Sequence, residues 1–184
     1  MPDEPYSPGV AGGATIDKDG DKWTLVLVRQ LRHAPDKVWT ALTEPDQLKQ
    51  WSPFDADKSL ATAGATVKLT TVGAPSVYVS ETVVIRADAP KVLQFNWGDR
   101  EMRWELESLA GGTRLTLWNN IDRNYIAMGA AGWHVCLDVL DHWIGGKTIG
   151  RIVGADALKF PGWQRLLAEY SRLLGVGSPP KAAS

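Results

Sequence analysis

LVRQLRHAPDKVWTALTEPDQLKQW, residues 27–51, changes its hydrophobic period within one short span. Its first residues finish a strand begun at Trp23, in which Trp23, Leu25, Leu27, Arg29 and Leu31 alternate with Thr24, Val26, Val28, Gln30 and Arg32. Pro35 then stands where a first helical turn wants a fixed φ and needs no amide donor, and Val38, Trp39 and Leu42 follow on one side. Glu44-Pro45 repeats the device, placing Leu48 and Trp51 three apart, and Pro53 closes the second helix. A strand, a corner and two short helices are expected.

Downstream, residues 65–120 read as an antiparallel meander. Its strands are AGATVKLTTV, SVYVSETVVIRAD, KVLQFNWG, REMRWELESL and TRLTLWNN, separated by Gly73-Ala74-Pro75, Asp88-Ala89-Pro90, Gly98-Asp99 and Gly111-Gly112. In REMRWELESL the apolar set is Met102, Trp104 and Leu106, with Glu101, Arg103, Glu105 and Glu107 opposite, so one sheet face is buried and the other solvated. After Asn120 the period becomes 3.6. At 100° per residue, Trp133, Cys136, Leu137, Val139, Leu140, Trp143 and Ile144 fall within about 160° of arc, and Val135 widens it to about 200°. His134, Asp138, Asp141 and His142 share the remaining polar sector and read as a solvated face rather than a metal or acid–base site. Gly145-Gly146 ends this helix, and Trp163, Leu166, Leu167, Tyr170, Leu173 and Leu174 form a second stripe closed by Gly175. Residues 147–160 show no clear period.

Upstream, residues 1–20 are rich in Pro, Gly and Asp and read as a flexible N-terminal arm, with residues 21–175 as one domain and 176–184 as a disordered tail. Asp17, Asp19 and Asp21 resemble the start of a calcium loop, but its twelfth position is Val28 where a bidentate Glu is required, so a polar turn is expected. The 184 residues carry 20 Lys+Arg against 21 Asp+Glu, a net charge of −1, which gives no basic footprint for nucleic acid or an anionic membrane surface. One cysteine, Cys136, excludes an internal disulfide and a Cys-rich zinc site. No secretory pattern or 18-residue apolar run is present, so cytoplasmic residence is the expectation. Nine tryptophans are several times an ordinary share and must fill a core or line a cavity.

The span 27–51 resembles the opening of the activator of Hsp90 ATPase homologue-like family, within the START/Bet v 1-like (SRPBCC) superfamily. KVLQFNW resembles that family's strand before the mid-sheet turn, GGTRLTLWNN its last strand and GWHVCLDVLDHWIGG its long C-terminal helix. The resemblance covers about residues 23–174 and implies an α+β helix-grip fold, a curved antiparallel sheet wrapped around the late helix. Ser52-Pro53-Phe54 departs from the family's usual text after Trp51, and DRNYIAMGAAG after Ile121 does not align.

The resemblance further implies a cavity between sheet and helix for a small hydrophobic or amphipathic molecule. Candidate lining from the first helices and strands is Trp39, Trp51, Phe54, Leu69 and Val79. Phe95, Trp97 and Trp104 add to it from the sheet, and Trp133, Leu137, Leu140 and Trp143 from the helix. Taken singly, each reads more readily as part of a packed core; taken as a set, they favour a cavity. Arg29 and Glu81 share phase with apolar rows and are candidates to neutralise each other or to anchor a ligand. Asn119, Asn120 and Asp122 close the last strand as turn formers or ligand contacts. Cys136 reads as a small hydrophobe, no metal or cofactor site is expected, and Trp118 would suit a homodimer. The function expected is a non-catalytic carrier or sensor. The alternatives are a cyclase- or hydrolase-type enzyme using Glu81 with Arg29 or Tyr78, and a chaperone-type interaction module.

Overall fold

The computed structural model describes residues 4–177. Strands β1 (Ala14–Asp19) and β2 (Lys22–Leu31) lead into helices α1 (Pro35–Thr43) and α2 (Pro45–Trp51). Strands β3 (Phe54–Ala56), β4 (Thr66–Thr71), β5 (Tyr78–Val83), β6 (Arg86–Asp88), β7 (Val92–Trp97), β8 (Arg100–Leu109) and β9 (Gly112–Asn120) follow. A 3₁₀ turn, Arg123–Tyr125, introduces α3 (Ile126–Ile144), then come α4 (Ala155–Lys159) and α5 (Pro161–Leu174). The larger sheet has the order β1-β2-β9-β8-β7-β6 and the smaller one β3-β4-β5, with every pairing antiparallel. The sheets curve around α3, as the helix-grip reading requires.

The prolines act as expected: each of α1 and α2 starts on one, and Trp51 Nε1 ties the pair by donating to the Ala41 carbonyl at 2.9 Å. Gly175 ends α5 in the left-handed conformation, φ 64°.

Several expectations change. The stretch 1–20 is not wholly an arm, because Ala14–Asp19 pairs with β2 from Ala14↔Leu27 to Asp19↔Lys22. Its charged side chains hid a strand whose edge faces solvent. Residues 147–160 contain α4. SVYVSETVVIRAD is two strands, since the Val84 amide donates to the Ala65 carbonyl in the smaller sheet while the next amide, Ile85, donates to the Gln94 carbonyl in the larger. One chain is thus handed from sheet to sheet at a single residue. The tail expected from 176 begins with a buried Val176, and residues 178–184 lie outside those described.

The phase of β5 is the reverse of that expected. Val67 and Leu69 of β4 are fully buried and stand opposite Thr82 and Ser80, so the polar row of β5 turns inward. Val79, Glu81 and Val83 turn out, Val79 being 51% exposed. The inward hydroxyls replace ladder bonds between the sheets: Thr82 Oγ1 accepts from the Asn96 amide at 3.1 Å, and Ser80 Oγ from the Gly98 amide at 3.3 Å.

Candidate functional site

Helix α3 has two unlike halves. From Val135 on it carries large side chains, and Leu137 and Leu140 fill the space under the sheet with no exposure. Before that its sequence is IAMGAAGW, and at helical spacing Met128, Gly129, Gly132, Trp133 and Cys136 share one face. Trp133 reaches the sheet, donating to Asn119 of β9, but Met128, Gly129 and Gly132 leave the space beside it open. A recess of about 440 Å³ remains there, within the range of small-molecule sites.

Its walls come from four directions. Trp97 and Arg100 flank the β7–β8 turn, and Asn119 and Ile121 end β9. The loop Gly73-Ala74-Pro75 meets the segment Ile152–Leu158, and Trp163 of α5 closes the far side. The two loops cross at backbone distance: the Ala155 amide donates to the Gly73 carbonyl at 3.2 Å, and both Gly73 (φ 78°) and Gly154 (φ 56°) are left-handed. A Cβ on Gly154 would collide with the Gly73 carbonyl. Arg151 holds the second loop by donating to the Leu48 carbonyl at 3.0 Å and the Phe54 carbonyl at 3.3 Å, and by pairing with Asp55.

The recess is largely apolar. Asn119 is its buried polar side chain, at 1% exposure. The Asn119 Oδ1 accepts from Trp133 Nε1 at 3.2 Å, while Nδ2 donates to the Glu101 and Asn120 carbonyls at 3.3 Å each and faces Met102 Sδ at 3.1 Å. Burial pushes the Cys136 thiol up to about 12, so it stays protonated at neutral pH and is a poor nucleophile. Outside the rim lies a polar depression that shares Arg100, Ile121 and Tyr125 with the recess and adds Asp21, Asp99 and Asp122. Asp122 accepts from the Asn124 amide at 2.8 Å and so caps the 3₁₀ turn.

Of the candidate lining residues, Trp97 and Trp133 border this recess. Trp51, Phe54, Phe95 and Trp104 form solid core instead: edge-to-face contacts join Trp51 to Trp104 at 6.2 Å, Phe54 to Phe95 at 5.9 Å and Trp104 to Trp133 at 5.4 Å. Leu69, Leu137 and Leu140 are fully buried beside them, and Trp39 is buried on α1. Trp143 is half-buried, its Nε1 donating to Gln47 Oε1 at 2.7 Å. Val79 and Glu81 lie on the outer sheet face, so Glu81 does not meet Arg29.

Arg29 does turn inward, and its partner is Asp138. The His134–Asp138 part of the helix face read as solvated is in fact covered. The Tyr6 hydroxyl donates to Asp138 Oδ2 at 2.5 Å, the His134 Nε2 lies 3.5 Å from that oxygen, and His134 Nδ1 meets the Tyr170 hydroxyl at 2.7 Å. The Tyr170 hydroxyl donates in turn to the Gly12 carbonyl at 3.2 Å. His134 is only 5% exposed; burial, then Arg29, push it from 6.5 down to about 4, partly offset by Asp138. This network lies on the side of α3 turned from the recess and ties the N-terminal segment to α5.

Sequence reasoning missed Met128, Gly129, Gly132 and the loop Ile152–Leu158. A signal for the helix face was present, since the five small residues in IAMGAAG cannot fill the room that Leu137 and Leu140 fill one and two turns later.

The sequence profile of the family described as activator of Hsp90 ATPase homolog 1-like protein matches residues 32–145, and the chain belongs to that family. Among solved structures, the NMR structure of CalU16 from Micromonospora echinospora matches with TM-score 0.66 at 19% identity, covering 94% of this chain and 95% of that one. The conserved protein of unknown function EF2215 from Enterococcus faecalis matches with TM-score 0.65 at 18% identity, covering 87% and 90%. At these identities the likeness is one of fold. No curated protein matches.

Proposed function

We propose that this member of the family encloses a small apolar or amphipathic molecule in the recess beside the first half of α3, and acts as its carrier or sensor. The observation that carries the reading is the unfilled space itself. Interiors are ordinarily close-packed, and each gap forfeits contacts that a guest would restore. Here tryptophans border about 440 Å³ that the chain's own side chains leave open. Burial of the guest at roughly 25 cal/mol per Å² supplies the binding, and a single polar group sets its orientation.

The carrier reading is favoured over catalysis because the recess wall offers Arg100, Tyr125 and a protonated Cys136, with no acid–base pair among the described residues. The groups first considered for an enzyme lie elsewhere, Glu81 outside the sheet and Arg29 against Asp138. A chaperone-type role rests on an exposed strip at Val77, Val79, Val83 and Ile85, and is the secondary reading. No helix among the described residues is long and apolar enough to cross a membrane, in keeping with a cytoplasmic carrier.

Gly132→Leu tests the proposal. A Cβ at Gly132 meets only Trp163 Nε1, at 3.9 Å, and Gly→Leu gains up to about 1 kcal/mol of helix propensity. The variant should melt no lower than wild type and lose any apolar molecule that mass spectrometry finds on the gently purified wild-type protein. Equal occupancy of both proteins, or a wild type that neither carries nor takes up any apolar compound, would overturn the proposal.

A further inference from the structure

Asn119 sits between neighbours that each have a single hydrogen-bonding role. Trp133 Nε1–H can only donate, so the amide atom facing it at 3.2 Å is the oxygen. The Glu101 and Asn120 carbonyls can only accept, so the atom facing them at 3.3 Å is the nitrogen. The orientation of the amide is fixed from both sides, and both of its N–H groups are spent. What Asn119 retains for the recess is the second lone pair of Oδ1, an acceptor in a wall otherwise almost wholly apolar.

The donor requirement adds a second constraint. A carboxylate or other anion has no proton to give to Oδ1 and would shed its hydration in an apolar wall. The depression outside the rim sets no sign of its own, because Lys18 and Arg123, which lie over the Trp23 ring that lines it, join Arg100 against Asp21, Asp99 and Asp122.

We infer that the guest is a flat, neutral apolar molecule bearing one hydroxyl or N–H group, which donates to Asn119 Oδ1 while its body packs on Trp97 and Trp133. This rests on the carrier reading and goes further by naming the guest's polarity. A phenol fits this description; an ether or a ketone of the same shape does not.

The test is equilibrium dialysis of four matched probes: naphthalene, 2-naphthol, 2-methoxynaphthalene and 2-naphthoate. Wild type should bind 2-naphthol about tenfold more tightly than 2-methoxynaphthalene or naphthalene, the worth of one buried neutral hydrogen bond, and 2-naphthoate should bind more weakly than 2-naphthol. In Asn119→Leu the advantage of 2-naphthol should vanish while naphthalene binding persists. If that variant fails to fold, Asn119→Thr replaces it; a hydroxyl both donates and accepts, so the tenfold gap should narrow to within about threefold. If all four probes bind wild type equally, or the preference survives either folded variant, the Asn119 assignment fails and the carrier reading stands. Tighter binding of 2-naphthoate would move the anchor to Arg100 and also overturn the assignment. Binding of none of the four would defeat the carrier reading itself.

Discussion

His134 shows how a single side chain can be misread by its neighbours in sequence. Beside Asp138 and His142 it looks like one of a solvated row, but Tyr6 and Tyr170 come from 128 residues upstream and 36 downstream to cover it. The covering has a consequence in pH. Folding holds His134 at about 4 against 6.5 when unfolded, so the unfolded chain binds the extra proton first. Its contribution to stability is complete above pH 6.5 and is lost as pH falls toward 4, on the order of 3 kcal/mol in all. Urea unfolding at pH 7.5, 6 and 5 should show that decline in wild type, and a shallower one in His134→Gln.

Among the elements, the join between β5 and β7 makes the clearest demand. Thr82 is 5% exposed, and its Oγ1 is the partner of the Asn96 amide, which has no strand carbonyl opposite it. Thr82→Val keeps the shape and the strand propensity but strands that amide, so it should cost about 1–3 kcal/mol of unfolding free energy, read from the denaturant midpoint at unchanged slope. This element also marks a limit of legibility. Four apolar residues, Val77, Val79, Val83 and Ile85, outvoted Ser80, Thr82 and Val84 in assigning the buried face, because alternation gives two phases and only the partner strand chooses between them. The helices were legible for the opposite reason. Pro35, Pro45 and Gly175 act on local backbone geometry, which needs no partner. At the site, Trp97 and Trp133 could be named from aromatic content, but nothing in the tryptophan pattern separates them from Trp51 and Trp104, which the fold packs solid.

Across the whole molecule, the N-terminal segment works as a strap. The Ala11 amide donates to Glu169 Oε2 at 3.1 Å, Arg165 donates to the Gly9 carbonyl at 3.1 Å, and Tyr6 stacks on Phe160 at 5.8 Å, all on the α4–α5 side. Removing residues 1–12 uncovers the Asp138–His134–Tyr170 network and should lower Tm by several degrees. Hydrogen exchange should quicken in α5 while β2, β8 and β9 keep their protection. Uniform quickening across the sheet would show instead that the strap belongs to the global folding unit.

The contrast between the halves of α3 separates two kinds of selection. A side chain added at Gly132 narrows the recess without meeting anything closer than Trp163 Nε1 at 3.9 Å, whereas Gly129 is kept small by Ile121, 3.0 Å from its Cβ position, and Leu137 and Leu140 go on securing the scaffold. On the proposed carrier reading, guest preference can therefore be narrowed at Gly132 without repair elsewhere, and a breeder of new binders can treat that turn of the helix as an adjustable fitting on an otherwise finished body.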